Sequence, residues 1–373
     1  MIYLDQAATS LQKPPAVAYA MEEAMRTCAG YGRSGHRAAV RAGEMVYTCR
    51  ETAAKLFSMS DPSRVIFTMN ATHALNLAIH GLCNAQTKVA VSGYEHNSVL
   101  RPLHYLGCPV HRIESRLFDC ADFLCKAEQA IQQGAELFII NHVSNVFGSI
   151  VPLKALDTLL QHYGIPMIVD ASQSAGVLDI SFLPSVTAIC MPGHKGLLGP
   201  QGTGLLLLAP DTDPRPLLQG GTGSVSSDLA QPAFFPDRLE SGTPNIPGIA
   251  GLDAAMRFVL AMGTEEIRRR EEALRQALVR GLDTIPCLEV FASDSDQSAV
   301  VSVRIPEIPS ERIAQALSER DICVRAGLHC APCAHRTAGT EQTGTVRFSF
   351  GIYNTAEEMR QTVSCLREIA ESL

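Results

Sequence analysis

Short, continuous apolar runs recur through the first half of the chain, separated by stretches whose apolar positions repeat at helical spacing. The runs at 65–68, 88–91, 109–113, 137–140, 167–170, 188–190 and 204–208 predict strands. Several of them lack polar alternation, as expected of strands covered on both faces. The segments 72–82, 97–106 and 153–163 between them predict helices, as do 38–57 and the stretch opened by Pro14-Pro15 and running to Thr27. Residues 1–13 carry no strong period, and 31–37 reads as a glycine-punctuated loop. Strands alternating with helices predict an α/β chain with a largely parallel, helix-covered sheet.

The pattern changes after Gln219-Gly220-Gly221-Thr222-Gly223-Ser224, which begins a loop-rich connection running to Pro247. One long helical region is expected over 248–282. Its charged run Glu265-Glu266-Ile267-Arg268-Arg269-Arg270-Glu271-Glu272 reads as a solvated face linking two domains. The tail then reads strand 289–291, strand 299–305, helix 310–318, strand 323–324, strand 345–350 and helix 356–372, a small α+β unit. The expected division is a large domain over 14–250 and a small domain built from 1–13 and 251–373.

Composition narrows the function classes. A chain of 373 residues has room for about two domains with cores of their own. An apolar content of 46% and a mean hydropathy of +0.08 suit a globular enzyme. The net charge of −7, without a basic block, argues against a nucleic-acid partner. No apolar run approaches the ~20 residues of a membrane span. The start Met1-Ile2-Tyr3-Leu4-Asp5 has no basic region and no cleavable apolar segment, so export is not expected. The 12 cysteines are scattered at irregular spacings, the usage of reduced thiols in a cytoplasmic protein.

Two stretches carry candidate chemistry. Pro192-Gly193-His194-Lys195-Gly196 places a lysine in a glycine-framed turn directly after an apolar strand. A lysine withdrawn from bulk solvent loses its proton more easily and can form a Schiff base with an aldehyde cofactor. Upstream, Ile168-Val169-Asp170 is a buried strand ending in a carboxylate. Pyridoxal 5′-phosphate (PLP) needs both groups, the lysine for its aldehyde and an acid for its pyridinium nitrogen.

At these motifs the chain resembles the class V, fold-type I PLP enzymes, and in particular the cysteine desulfurases and selenocysteine lyases. The resemblance runs from Tyr3-Leu4-Asp5-Gln6-Ala7-Ala8-Thr9 to Arg347-Phe348-Ser349-Phe350-Gly351 and on to Thr355. It implies that Lys195 carries PLP, Asp170 meets the ring nitrogen, and His96 of Tyr94-Glu95-His96-Asn97 stacks on the ring and handles protons. Thr72, in Asn70-Ala71-Thr72, and His194 map to phosphate contacts; on local pattern alone Thr72 serves equally as a helix cap. Asn145 and Gln173 map to the ring oxygen or the substrate carboxylate. Thr243, in Glu240-Ser241-Gly242-Thr243-Pro244-Asn245, maps to a segment that reaches the partner's phosphate, implying a homodimer. Three positions depart from the family. Pro192 stands where a Ser or Thr is usual and withdraws a phosphate donor, His73 stands where Glu is common, and Gln6 where Asn is common.

The second centre is Arg325-Ala326-Gly327-Leu328-His329-Cys330-Ala331-Pro332-Cys333-Ala334-His335. It resembles the Arg-x-Gly-x-His-Cys signature of group II desulfurases, in which the cysteine attacks the substrate's sulfur. Arg325 and His329 are expected to favour the Cys330 thiolate, and Arg347 to clamp the substrate carboxylate, with Arg325 also counted among the substrate-binding residues. Cys333 and His335 stand at zinc-like spacing from Cys330. A metal there would occupy the nucleophile, so none is expected; a resolving thiol or a structural residue fits Cys333 better. The resemblance implies conversion of L-cysteine to L-alanine, with sulfur held on Cys330 for a protein acceptor. Selenocysteine lyase, a class V aminotransferase without need of Cys330, and a non-enzymatic sulfur or metal carrier are the alternatives.

Overall fold

The computed structural model describes residues 1–32 and 34–372; Arg33, in the expected 31–37 loop, lies outside them. In order the chain forms β1 (Ile2–Tyr3), α1 (Pro15–Thr27), α2 (Arg37–Leu56), β2 (Val65–Thr68), α3 (Ala71–Leu82), β3 (Val89–Ser92), α4 (Asn97–Leu106), β4 (Val110–Ile113), α5 (Cys120–Gln132), β5 (Leu137–Asn141), α6 (Leu153–Tyr163), β6 (Met167–Asp170), β7 (Val186–Pro192) and β8 (Gly204–Leu208). There follow α7 (Ile246–Met262), α8 (Thr264–Leu282), β9 (Glu289–Phe291), β10 (Val300–Arg304), α9 (Ser310–Ser318), β11 (Ile322–Cys323), β12 (Arg325–Gly327), α10 (Pro332–Thr337), β13 (Thr345–Ser349) and α11 (Ala356–Ser372).

A seven-stranded sheet in the order β2-β8-β7-β6-β5-β3-β4 holds the first half together. Only β8 runs against the others, pairing antiparallel with both β2 and β7. Its continuous apolar strands bury both faces. Leu205 and Leu207 join the core with Phe138, Ile140, Val169 and Ile189, while Leu206 and Leu208 join a second core with Ile139, Ile168 and Ala188 across the sheet. This two-sided burial is why the strands read as unbroken apolar runs.

A four-stranded antiparallel sheet, β12-β13-β10-β9, forms the second layer with its own core of Leu278, Val301, Val303, Phe348 and Leu366. The N-terminal segment belongs here, because β1 pairs in parallel with β11 and Asp5 bridges to Ser349.

The region expected as one long helix is two. Gly263, at φ +83°, ends α7 and caps α8, and the two axes bend by 80°. α7 packs on α1 and α2 and contains position 250, where the sequence-based division falls, whereas α8 packs on α11. α8 also turns Glu271 inward: it is 8% exposed, with no ion-pair or hydrogen-bond partner among the described residues, at a small cavity shared with Gln6, Ser298 and Gly351.

Candidate active site

In a parallel sheet the functional groups gather beyond the carboxyl ends of the strands. His96 follows β3, Asn145 follows β5, Asp170 ends β6, Lys195 follows β7, and Thr72 opens the helix after β2. All five line one cavity of about 230 Å³, together with Gln173, Pro192, His194, Ser98, Arg325 and Arg347.

Lys195 sits half-buried on its turn, and the loss of hydration at its ammonium lowers its pKa to about 8, against the pull of Asp170. The turn is braced from behind by Gly176, whose φ is +86°; a Cβ there would collide with the Gly196 carbonyl. Asp170 is buried and accepts the Ser172 N–H at 2.9 Å. His194 Nδ1 lies 3.1 Å from Thr9 Oγ1, and burial pushes its pKa down to about 4, so the ring is neutral. Gln173 Nε2 donates to the Ala7 carbonyl at 3.1 Å.

His96 is the N-cap of α4. Its Nδ1 accepts the Ser98 N–H at 3.1 Å, and burial lowers its pKa to about 4. The preceding Glu95 is wholly buried and ties the ends of β3 and β5, accepting Ser92 Oγ–H at 2.7 Å and the Asn141 N–H at 2.8 Å. Burial lifts its carboxyl to about 8. Sequence reasoning gave Glu95, Ser98 and Asp5 no role. Their signal was proximity in sequence to His96 or to the N-terminal motif, which does not disclose a hydrogen-bond partner.

Opposite the large sheet stand two arginines. Arg325 of β12 and Arg347 of β13 are register partners, so their side chains leave the sheet on one face. Arg347 is 1% exposed. Its Nη2 pairs with Asp5 Oδ1 at 2.5 Å and its Nη1 donates to the Asn145 carbonyl at 2.9 Å. Its Nε and the neighbouring Asn145 Oδ1 are buried without a partner among the described residues.

Cys330 is exposed, in an adjoining groove that shares Thr72, His96 and Ser98 with the cavity. His329 and Cys330 are consecutive non-glycine residues at φ +52° and +57°, a conformation that costs about 1 kcal/mol or more per residue. Two hydrogen bonds hold the turn: Asn145 Nδ2 donates to the His329 carbonyl at 2.9 Å, and the Asn97 N–H to the Cys330 carbonyl at 2.8 Å. Arg325 Nη2 donates to Cys330 Sγ at 3.5 Å.

His329 departs from expectation. It is buried, its ring stacks on His335 at 5.6 Å, and burial near Arg347 holds its pKa well below the usual value. A neutral imidazole brings no positive charge to the thiol, which leaves that task to Arg325. Cys333 is buried in α10, and His335 is bonded to Thr340 at 2.8 Å. Among the described residues no three His, Cys, Asp or Glu side chains are placed to hold a metal ion.

The aminotransferase class-V family model matches residues 2–361. A "Probable cysteine desulfurase" of Pyrococcus abyssi is 33% identical over 390 aligned positions, covering 100% of this chain and 95% of the relative. The chain belongs to the cysteine desulfurase family of class V aminotransferases. The apo cysteine desulfurase of Thermococcus onnurineus superposes with a TM-score of 0.92 at 32% identity, covering 100% of this chain and 95% of that one. The Escherichia coli cysteine desulfurase CsdA shares the fold, with a TM-score of 0.86 at 24% identity over 100% of this chain and 95% of that one. The family's fold-type I architecture, a large mixed sheet with a smaller α+β unit, is the one seen here.

Thr243 is exposed and does not line the cavity of its own chain. Every other residue singled out for cofactor or carboxylate binding does, while Cys330 stands at the adjoining groove.

Proposed function

We propose that the chain converts L-cysteine to L-alanine with PLP and takes the sulfur onto Cys330 as a persulfide. One observation carries the reading: a single cavity joins a lysine with a lowered pKa, a buried carboxylate and a buried arginine with a free Nε, and the groove beside it holds a thiol bonded to a second arginine. The donor set fits PLP. Lys195 offers an amine that is readily neutral, Asp170 an acid for the ring nitrogen, and the first turn of α3 a helix N-terminus, with the Thr72 hydroxyl, for a phosphate.

When bound, PLP supplies the electron sink that labilises the substrate's Cα–H and Cβ–S bonds. Asp170 would hold the ring nitrogen, Thr72 and His194 the phosphate, and Asn145 and Gln173 the ring oxygen, with His96 placed to stack on the ring. Arg347 takes the substrate carboxylate through its free Nε, with Arg325 adding charge from the facing strand. Lys195 accepts the α-proton and delivers protons back to the substrate's carbon skeleton. The Cys330 thiolate, favoured by Arg325, attacks the substrate sulfur. A Cys330 Sγ–S bond forms, the Cβ–S bond breaks, and its electron pair stays with the carbon that becomes the methyl group of alanine. The persulfide then passes to an acceptor, which we take to be a protein docking in the cytoplasm. Two chains form the working unit, each lending Thr243 to the other's phosphate.

Alanine release from L-cysteine under reducing conditions, beside Cys330→Ala, tests the reading. Release from the parent alone, with bound PLP visible by absorbance in both proteins, is expected. Equal release from both would favour aminotransferase-like chemistry. Release from L-selenocysteine far faster than from L-cysteine in the parent would favour a selenocysteine lyase, and no bound PLP in either protein a carrier.

A further inference from the structure

Pro192 offers neither a hydroxyl nor an N–H to the cavity it lines. A hydroxyl enters the same cavity from another direction. Ser98, in the first turn of α4, is 8% exposed, and its Oγ lies 2.9 Å from Thr72 Oγ1 and 2.9 Å from His96 Nδ1. Thr72 occupies the first turn of α3, so one hydroxyl pair joins the N-termini of two helices.

The protons on this chain can be assigned. His96 Nδ1 accepts the Ser98 N–H, so its lone pair faces Ser98 and the ring proton is on Nε2. The Ser98 hydroxyl has one proton and two neighbours able to accept it. Directed at His96, it leaves its own oxygen to accept from Thr72, whose proton is then spent within the protein. Directed at Thr72, it frees the Thr72 proton to point into the cavity. An anion beside Thr72 stabilises the second arrangement, because only there does Thr72 present a donor.

We propose that Ser98 is a positioning residue that couples the phosphate cup to His96: its hydroxyl donates to Thr72 Oγ1 when a phosphate fills the cup and to His96 Nδ1 when the cup is empty. The inference rests on the PLP reading above. It restores part of the donor capacity that Pro192 withdraws, and it makes the hydrogen bonding of His96 depend on what the cup holds.

The full chain, freed of cofactor, is titrated with PLP and with pyridoxal, which keeps the ring and aldehyde but lacks the phosphate. The parent is expected to prefer PLP. Ser98→Ala is expected to weaken PLP binding about fivefold to tenfold, the effect of one lost supporting hydrogen bond, while leaving pyridoxal binding unchanged; Ser98→Thr restores the preference. As a second readout, inorganic phosphate shifts the imidazole nitrogen resonance of His96, assigned by its loss in His96→Gln, in the parent and not in Ser98→Ala. The inference is overturned if Ser98→Ala keeps the parental preference for PLP over pyridoxal, loses affinity for both equally, or shows the parental phosphate-induced shift. A parent that binds no PLP overturns the cofactor reading itself, which separates the two failures.

Discussion

Arg325 and Arg347 stand directly opposite each other on β12 and β13, two guanidinium groups facing one cavity. Like charges in register across a sheet are destabilising. Asp5 answers one of them from the N-terminal segment, at 2.5 Å from Arg347 Nη2. Among the described residues Arg347 Nε has no partner. An anionic substrate group entering here completes a charge balance that the chain leaves open.

Arg347→Lys keeps the charge but loses the planar donor fork. It is expected to raise KM for L-cysteine about tenfold or more, the loss of one charge-assisted hydrogen bond, with PLP still bound. Steady-state alanine formation with absorbance of the bound cofactor measures both; an unchanged KM would remove Arg347 as the carboxylate clamp.

Much of the site was legible because its residues stand at strand ends, and strand ends are marked by where apolar runs stop. Asp170 closes 167–170, His96 follows the Val89–Ser92 strand and Lys195 the Val186–Pro192 strand. The illegible part lies in side-chain partners. Nothing in the run Glu95-His96-Asn97-Ser98 shows that Glu95 ties β5 to β3 or that Ser98 reaches Thr72 from another helix. The break at Gly263 is hard to read because helix-forming sequence resumes directly after it and the apolar pattern returns at Ile267, while the axis turns. The neutral state of His329 depends on burial against His335 and Arg347, which no local pattern records.

Lys195 sets a pH dependence. Its pKa in the cofactor-free chain is lowered from 10.5 to about 8, so the nucleophilic neutral amine is the minority form below that value and the majority above it. The rate of PLP capture is therefore expected to rise with pH through about 8 and level off. Stopped-flow absorbance of cofactor-free protein mixed with PLP checks this; a rate still climbing near pH 10 would mean the amine is not desolvated.

Glu271 makes the opposite linkage. Burial raises its pKa from 4.5 to about 8, so the folded chain holds its proton where the unfolded chain has released it. The stability this lends to the protonated fold is full below 4.5 and is lost as pH rises through about 8. Glu271→Gln cannot ionise, so its Tm relative to the parent is expected to improve between about pH 5 and about pH 9. A constant difference across that range would show that Glu271 is charged in the fold.

The central claim is that Cys330 receives the sulfur. The most direct measurement is mass spectrometry of the intact chain after a single addition of L-cysteine to the PLP-bound protein without reductant, followed by peptide mapping. One added sulfur atom on the Cys330 peptide, removed by reductant and absent in Cys330→Ala, is the predicted result. Sulfur found on Cys333 or another thiol in the parent, or alanine formed with no sulfur retained on the chain, would contradict it.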